Sequence, residues 1–452
     1  MDRLLAQSLW QEMNTALYPD TLPRAVPLWQ EPQGYASAFA VSELAATSMG
    51  LATQAVAELI VSPHPVSVNV RLASRWFSSS FKPLNRPPAE LWDAFAGDYA
   101  GADGWIRLHT NAPHHRAAME AVLGKSDHRE QLAERVAQWR VEELEQLIVE
   151  AGGCAAVMRS AEEWQRHPQG QAVQQEALIQ WHPAPAAKKP HWLLPPARPL
   201  LGIKVLDLTR IIAGPVATRF LAGLGAEVLR IDPPGWQEPS LDEEITCGKR
   251  RAVLDLKRSE GLQHLRQLLA QADVLVHGYR ADALERLGLD AEERQRIAPG
   301  LVDISLNAWG WNGPWRNRRG FDSLVQMGCG IAEAGMHWSG NPRPTPLPVQ
   351  ALDHATGYLM AAAALQGLRQ RQIHGHGSRA QLSLARTAHL LIQHPSVTPA
   401  SGITAKAGDA LTALELTPWG IGERLHAATH LPGTAQIFSR PGSLPGSSNA
   451  QW

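Results

Sequence analysis

Apolar positions follow two different patterns along this chain. From about 201 to 395 they form short continuous runs separated by amphipathic stretches, and upstream of 183 they recur mainly with a helical period. The run IKVLDL at 203–208 suits a strand buried on both faces. Gly214-Pro215 follows a short turn. Pro215 fits the first helical turn, where its missing N–H has no helical partner. The helix is predicted to run to about Leu224 and to stop at Gly225. A second strand at 228–231 completes a strand–helix–strand unit of about 30 residues. Strands at 252–256, 273–277 and 301–306, and a helix capped by Ser259 and running through Ala272, continue the alternation. The prediction is an α/β fold, a Rossmann-like doubly wound parallel sheet in a large domain.

The upstream half predicts a smaller, mainly helical α+β domain. The stretch 41–60 is Ala-rich with a helical apolar face. Helical periodicity returns at 114–123 and 141–151, and 104–108 reads as a strand. VNVRLASRWF, from Val68, resembles AQLSLARTAHL, from Ala380, which is either a chance likeness or an incomplete duplication. The stretch 183–200 carries six prolines and marks the main boundary. The expected organisation is a helical segment at 1–85 (a candidate partial repeat of the large domain), a small domain at 86–185, a Pro-rich linker at 186–200, the large domain at 201–395 and a loop-rich tail at 396–452.

Composition narrows the function classes. Of 452 residues 44% are hydrophobic, enough for a sizeable core, and 42 basic residues balance 43 acidic ones. That excludes a globally basic nucleic-acid binder. Cys154, Cys247 and Cys329 are far apart, so neither a disulfide scaffold nor a cysteine zinc site is expected, and a reducing cytoplasm fits. The start, MDRLLAQSLWQEM, has an early acid and no continuous apolar run, so no signal peptide is expected. The apolar stretch 358–368 is too short to cross a bilayer, and no membrane partner is expected. GxGxxG, GxxxxGK[ST] and GxSxG motifs are all missing. His109, His114 and His115, and His374 and His376, raise a metal site only weakly, and none is expected.

Six segments in order carry a stronger signal. They are VLDLTRIIAGPVATRFLAGLGAEVLRID (205–232), GKRRAVLDLK (248–257), ADVLVHGYRADALERLGL (272–289), APGLVDISLNAWGWNGP (298–314), RRGFDSLVQ (318–326) and LPVQALDHATGYLMAAAALQGL (347–368). Together they resemble the large domain of the family III CoA-transferases, which include formyl-CoA and carnitine CoA-transferases and the α-methylacyl-CoA racemases. DGWIRLHTNAPHHRAAMEAVLG (103–124) resembles that family's small domain. Here it precedes the large domain, whereas most members insert it late, so the resemblance is to a rearranged member.

The resemblance implies a cytoplasmic homodimer that moves CoA, a sulfur-linked group, from an acyl-CoA to a free carboxylic acid. CoA and acyl-CoA would be substrates, with no permanently bound cofactor. Asp353 matches the family's catalytic aspartate, a carboxylate nucleophile that passes through an anhydride and an aspartyl-CoA thioester. Taken by itself, Asp353 reads as an N-cap of the helix that follows it, and the two roles can coexist. Asp322 matches a position that is acidic in several members. The racemases carry His immediately before it, and Phe321 stands here, which disfavours proton abstraction from two faces of a carbon. His354 is a remote substitute. CoA contacts are implied at the turn that contains Arg210, Ile212 and Gly214, at Gly278 and Tyr279, at Ala283, Arg286 and Leu287, and at Arg319. The basic triplet Lys249, Arg250 and Arg251 is either a further phosphate partner or solvated surface. Trp309, Trp311 and Trp315 read as packing or as a substrate wall. Ile212, Pro233, Pro234, Gly278 and Tyr279 depart from the usual family residues, and 396–408 has no glycine run to form a lid. These departures keep a non-catalytic CoA-binding homologue open as the alternative, with an acyl-CoA racemase behind it.

Overall fold

The computed structural model describes every residue except 20, 22, 23 and 397–401. A seven-stranded sheet organises the large domain. Its strands lie in the order Lys249–Val253, Glu227–Asp232, Lys204–Leu208, Val274–His277, Val302–Asn307, His376–Ser383 and Gln180–Ala186. The first six are parallel and the last is antiparallel. Numbered along the chain, the parallel strands run 3-2-1-4-5-6, the doubly wound order expected from the sequence. In such sheets ligands bind beyond the carboxyl ends of the strands where the order reverses. Here those ends are Leu208 and His277.

Two local expectations shift. The third parallel strand is Lys249–Val253 rather than 252–256, because two of its charges are buried and the sequence disguises them as surface. Lys249 Nζ donates to Asp207 Oδ2 at 3.0 Å, Thr218 Oγ1 at 2.7 Å and the Pro215 carbonyl at 2.9 Å. Arg251 pairs with Asp232 and Asp242. The next helix is Ser259–Leu269. Ser259 is its first residue, and the N-cap is Arg258, without a side-chain cap.

The Ala351–His374 helix crosses one face of the sheet, and its residues 351–368 are all buried. This explains the apolar run at 358–368. On one side it meets the Ala213–Gly223 helix so closely that a Cβ on Gly357 would stand 2.4 Å from the Ala213 carbonyl oxygen. On another it packs along the Val41–Leu59 helix. The two echoing sequences have matching forms. Ser67–Asn69 is a strand whose Asn69 side chain caps the Val70–Trp76 helix, and His376–Ser383 is a strand whose Ser383 caps the Leu384–Ile392 helix.

The tail folds onto the N-terminal segment. Thr429–His430 pairs with Ser67–Asn69, and Gly420–Arg424 pairs with Phe81–Pro83. Buried Arg71 joins Glu31 to Asp409. Of the stretch 396–408, residues 397–401 lie outside the described residues. Between these parts, Gly97–Ala100, Trp105–Leu108 and Ala155–Val157 form a small antiparallel sheet. Helices Pro113–Leu123, Arg129–Val136 and Val141–Glu150 cover it around a separate core that includes Ile106, Leu132, Leu144 and Ile148. Glu145 ties this unit to the sheet domain through Arg318. Trp164, Trp309 and Trp315 pack together beside it.

Candidate active site

The loop that leaves the first parallel strand is tightly held. The Asp207 carboxylate accepts from the Thr209 backbone N–H and hydroxyl. Gly214 approaches Thr209 so closely that a Cβ would lie 2.3 Å from its methyl group. Ile211 sits at φ 67°, a left-handed conformation that a β-branched residue adopts only under constraint. The constraint is visible. Its N–H donates to Glu238 Oε1 at 2.6 Å, and Glu238 is clamped in turn by Arg230.

Two carboxylates stand where the Ala351–His374 helix begins. Asp353 is the third helical residue and Gln350 is the N-cap. The Asp353 side chain caps nothing, which corrects the capping alternative. Asp322 performs that job instead. Its Oδ2 accepts the Asp353 backbone N–H at 2.9 Å, and Gln326 donates to its other oxygen. Asp353 is 6% exposed, and its carboxylate makes no hydrogen bond among the described residues. Burial raises its pKa well above the ordinary carboxylate range, and the charge of Asp322 raises it further. Burial also lifts Asp322, to about 6, against its hydrogen bonds from Gln326 and the helix start.

Asp353 opens into a cavity of about 730 Å³ between the two domains. The sheet domain contributes Ile211, Ile212, Trp236, Glu238, Phe321, Asp322, Gln350 and Asp353, and the small domain contributes Trp92, Asn111, His109, His114 and His115. The His109 ring stacks on Phe321 with centroids 3.9 Å apart. Burial, followed by its neighbours His115 and Arg107, lowers the His109 pKa to about 3.

Of the positions singled out in the sequence, Asp353, Asp322, Phe321, Ile212, Pro234, His109, His114 and His115 line this cavity. Arg210 is spent on the Thr209 and Ile231 carbonyls and lies 3.7 Å from Asp232. Gly214 shapes the turn without lining the cavity. Gly278, Tyr279, Ala283, Arg286 and Leu287 form a surface strip after the fourth parallel strand, where Arg286 pairs with Asp282. Arg319 is exposed and donates to the Gly152 carbonyl. The basic triplet is neither free nor solvated, because Arg250 pairs with Glu227 and the other two are buried. His354 stacks on Phe77 and lies away from the cavity. Trp309, Trp311 and Trp315 also lie outside its lining. The sequence reading missed the small-domain wall. Its signals in the sequence are His109, His114 and His115, which there suggest only a weak metal site. Among the described residues no group of three metal-ligating side chains converges.

The protein is of the α/β class, a doubly wound sheet with a buried carboxylate pair facing the cavity. Residues 200–414 match the model of CoA-transferase family III, and all six motifs lie in that segment. The family resemblance read from those motifs is therefore confirmed. An acyl-CoA transferase of Gibberella moniliformis is 32% identical over 64% of this chain and 55% of its own length. The mouse succinyl-CoA:glutarate CoA-transferase is 33% identical over 40% of this chain and 44% of its own length. The crystal structure of Rv3272 from Mycobacterium tuberculosis is 33% identical, covers 43% of this chain and 57% of that one, and superposes with a TM-score of 0.38. The chain spans between a third and just over half of the curated relatives it matches most strongly.

Proposed function

We propose that this protein is a CoA-transferase that uses Asp353 as a carboxylate nucleophile. One observation carries the reading: Asp353 is the carboxylate left without a hydrogen bond at the cavity floor, while Asp322 takes the helix N-terminus that would otherwise quiet it. A poorly solvated carboxylate is the stronger nucleophile. Asp353 attacks the carbonyl carbon of an acyl-CoA, the C–S bond breaks, and CoA leaves as the thiolate. The thiolate then attacks the aspartyl carbonyl of the mixed anhydride, which frees the donor acid and leaves an aspartyl-CoA thioester. The acceptor carboxylate attacks that thioester, and the released thiolate attacks the acceptor carbonyl of the new anhydride. This regenerates Asp353 and delivers acyl-CoA. Asp322 holds the helix start that carries Asp353.

CoA would lie with its thioester at Asp353 and its phosphates along the loops after Leu208 and His277, within reach of Arg286 at the Gly278–Leu287 strip. The relatives' names are consistent with acyl-CoA donors and carboxylic acid acceptors. The proposal includes a cytoplasmic homodimer, and the three buried unpaired cysteines suit a reducing compartment. Among the described residues no helix is long and apolar enough to cross a membrane. Against the racemase alternative, Phe321 stands where racemases carry His, and burial lowers the pKa of the His109 ring stacked on it. The test is CoA exchange between a labelled acyl-CoA and a panel of acids. Transfer that needs Asp353 supports the reading. Tight CoA binding without transfer to any acid supports the non-catalytic homologue.

A further inference from the structure

One buried carboxylate ties together two walls of the cavity. Glu238 is 5% exposed and belongs to the segment 234–241, every residue of which lines the cavity. Its Oε2 accepts from the Arg230 guanidinium, which also donates to Asp232 Oδ1 at 2.9 Å. Its Oε1 accepts the Ile211 N–H at 2.6 Å, from 27 residues away in the chain. The segment is thereby joined to the loop after the first parallel strand. Because Arg230 neutralises it, Glu238 does this without setting another net charge beside Asp322 and Asp353. The bond holds a conformation that the loop resists, since Ile211 is β-branched and sits at φ 67°. The left-handed turn has a use. In extended chain, successive side chains point to opposite sides, yet Ile211 and Ile212 both line the cavity. Ala213 follows at once, and its carbonyl oxygen meets the Ala351–His374 helix at Gly357. Gly357 is four residues beyond Asp353 and so on the same helix face. The pinned loop therefore lies one helical turn from the carboxylate.

We propose that Glu238 is a positioning residue, which holds Ile211 and Ile212 as an apolar wall that keeps water from the intermediates formed on Asp353. The inference rests on the transferase reading. Water that reached the mixed anhydride would add to it and give the donor carboxylate, the Asp353 carboxylate and two protons. The CoA thiolate would take one of those protons and leave as the free thiol. The thioester would then be hydrolysed without transfer, the side reaction that a closed site prevents.

Transfer and hydrolysis of the same acyl-CoA would be measured together. Amide exchange of the peptide that carries Ile211 would be followed by mass spectrometry. Glu238→Ala removes the acceptor, and Glu238→Gln keeps an acceptor oxygen. Ile211→Pro removes the donor and forbids a positive φ. It leaves Glu238 on Arg230, and so covers the case in which Glu238→Ala does not fold. Transfer is expected to fall roughly ten- to a hundredfold in Glu238→Ala and Ile211→Pro, with a rise in the hydrolysed share. The Ile211 peptide should exchange faster in Glu238→Ala, and Glu238→Gln should keep most of the transfer. A fall in transfer with an unchanged hydrolysed share would mark a merely structural role and overturn the proposal. Equal losses in Glu238→Gln and Glu238→Ala would also overturn it, as would wild-type behaviour in both Glu238→Ala and Ile211→Pro. A wild type that transfers to no acid would overturn the transferase reading instead. Protection of the Ile211 peptide that is lost in Glu238→Ala would then still support the clamp, and protection retained there would overturn it.

Discussion

At the residue scale, the proposed chemistry turns on the division of labour between two aspartates. Asp353 must be ionised to attack, and both burial and Asp322 oppose its ionisation. Activity should therefore fall as pH drops through the mildly acidic range. Asp322→Asn should move that acid limb to lower pH, because it removes the like charge. It should also cost about 1 kcal/mol through a weaker hold on the helix start. The check is a pH–rate profile alongside urea unfolding. The stability sign follows from the raised carboxyl pKa values. The folded state favours the protonated pair, so its contribution is present below about pH 4 and is lost as pH rises through about 6. Asp353→Asn should therefore match wild-type stability near pH 4 and exceed it at pH 8. Asp353 was legible because it lies in a quotable motif. The capping role of Asp322 was not, because its partner is 31 residues away and meets it only in the fold.

At the element scale, most strands and helices announce themselves as apolar runs and periodic faces. Lys249–Val253 does not, because its Lys249 and Arg251 are satisfied by carboxylates on the next two strands and at the start of the Asp242–Ile245 helix. Lys249→Ala would leave Asp207 buried without its partner, and should destabilise the fold by roughly 3–5 kcal/mol, whereas pairing it with Asp207→Asn should recover much of the loss. Denaturant midpoints of the two single variants and the double variant provide the measurement. The Gly278–Leu287 strip is legible only through the family pattern, although Leu284 is buried and Tyr279 and Leu287 pack against the same core.

At the scale of the molecule, the Val41–Leu59 helix packs along the Ala351–His374 helix, the element that carries Asp353, and the tail strand Thr429–His430 pairs with Ser67–Asn69 on the far side of it. Deleting residues 1–85 should expose that buried surface and give an aggregating or unfolded protein rather than a leaner enzyme. Thermal unfolding and sedimentation would show it. The sequence revealed the sheet and hinted at this arrangement through the echo of 68–77 in 380–390. It left the packing hidden, because the partners lie roughly 300 residues apart in the chain and no local periodicity encodes which faces meet. The same distance separation hid the small-domain wall. Its histidines acquire meaning only where Phe321 and Asp353 confront them.

The most direct test of the whole account is intact-protein mass spectrometry after incubation with acyl-CoAs, with hydroxylamine or borohydride trapping, on wild type and Asp353→Ala. An acyl-CoA-dependent adduct that maps to Asp353 and disappears in the variant is the predicted result. An adduct that persists in the variant, or none from any donor while CoA still binds, would contradict Asp353 as the nucleophile.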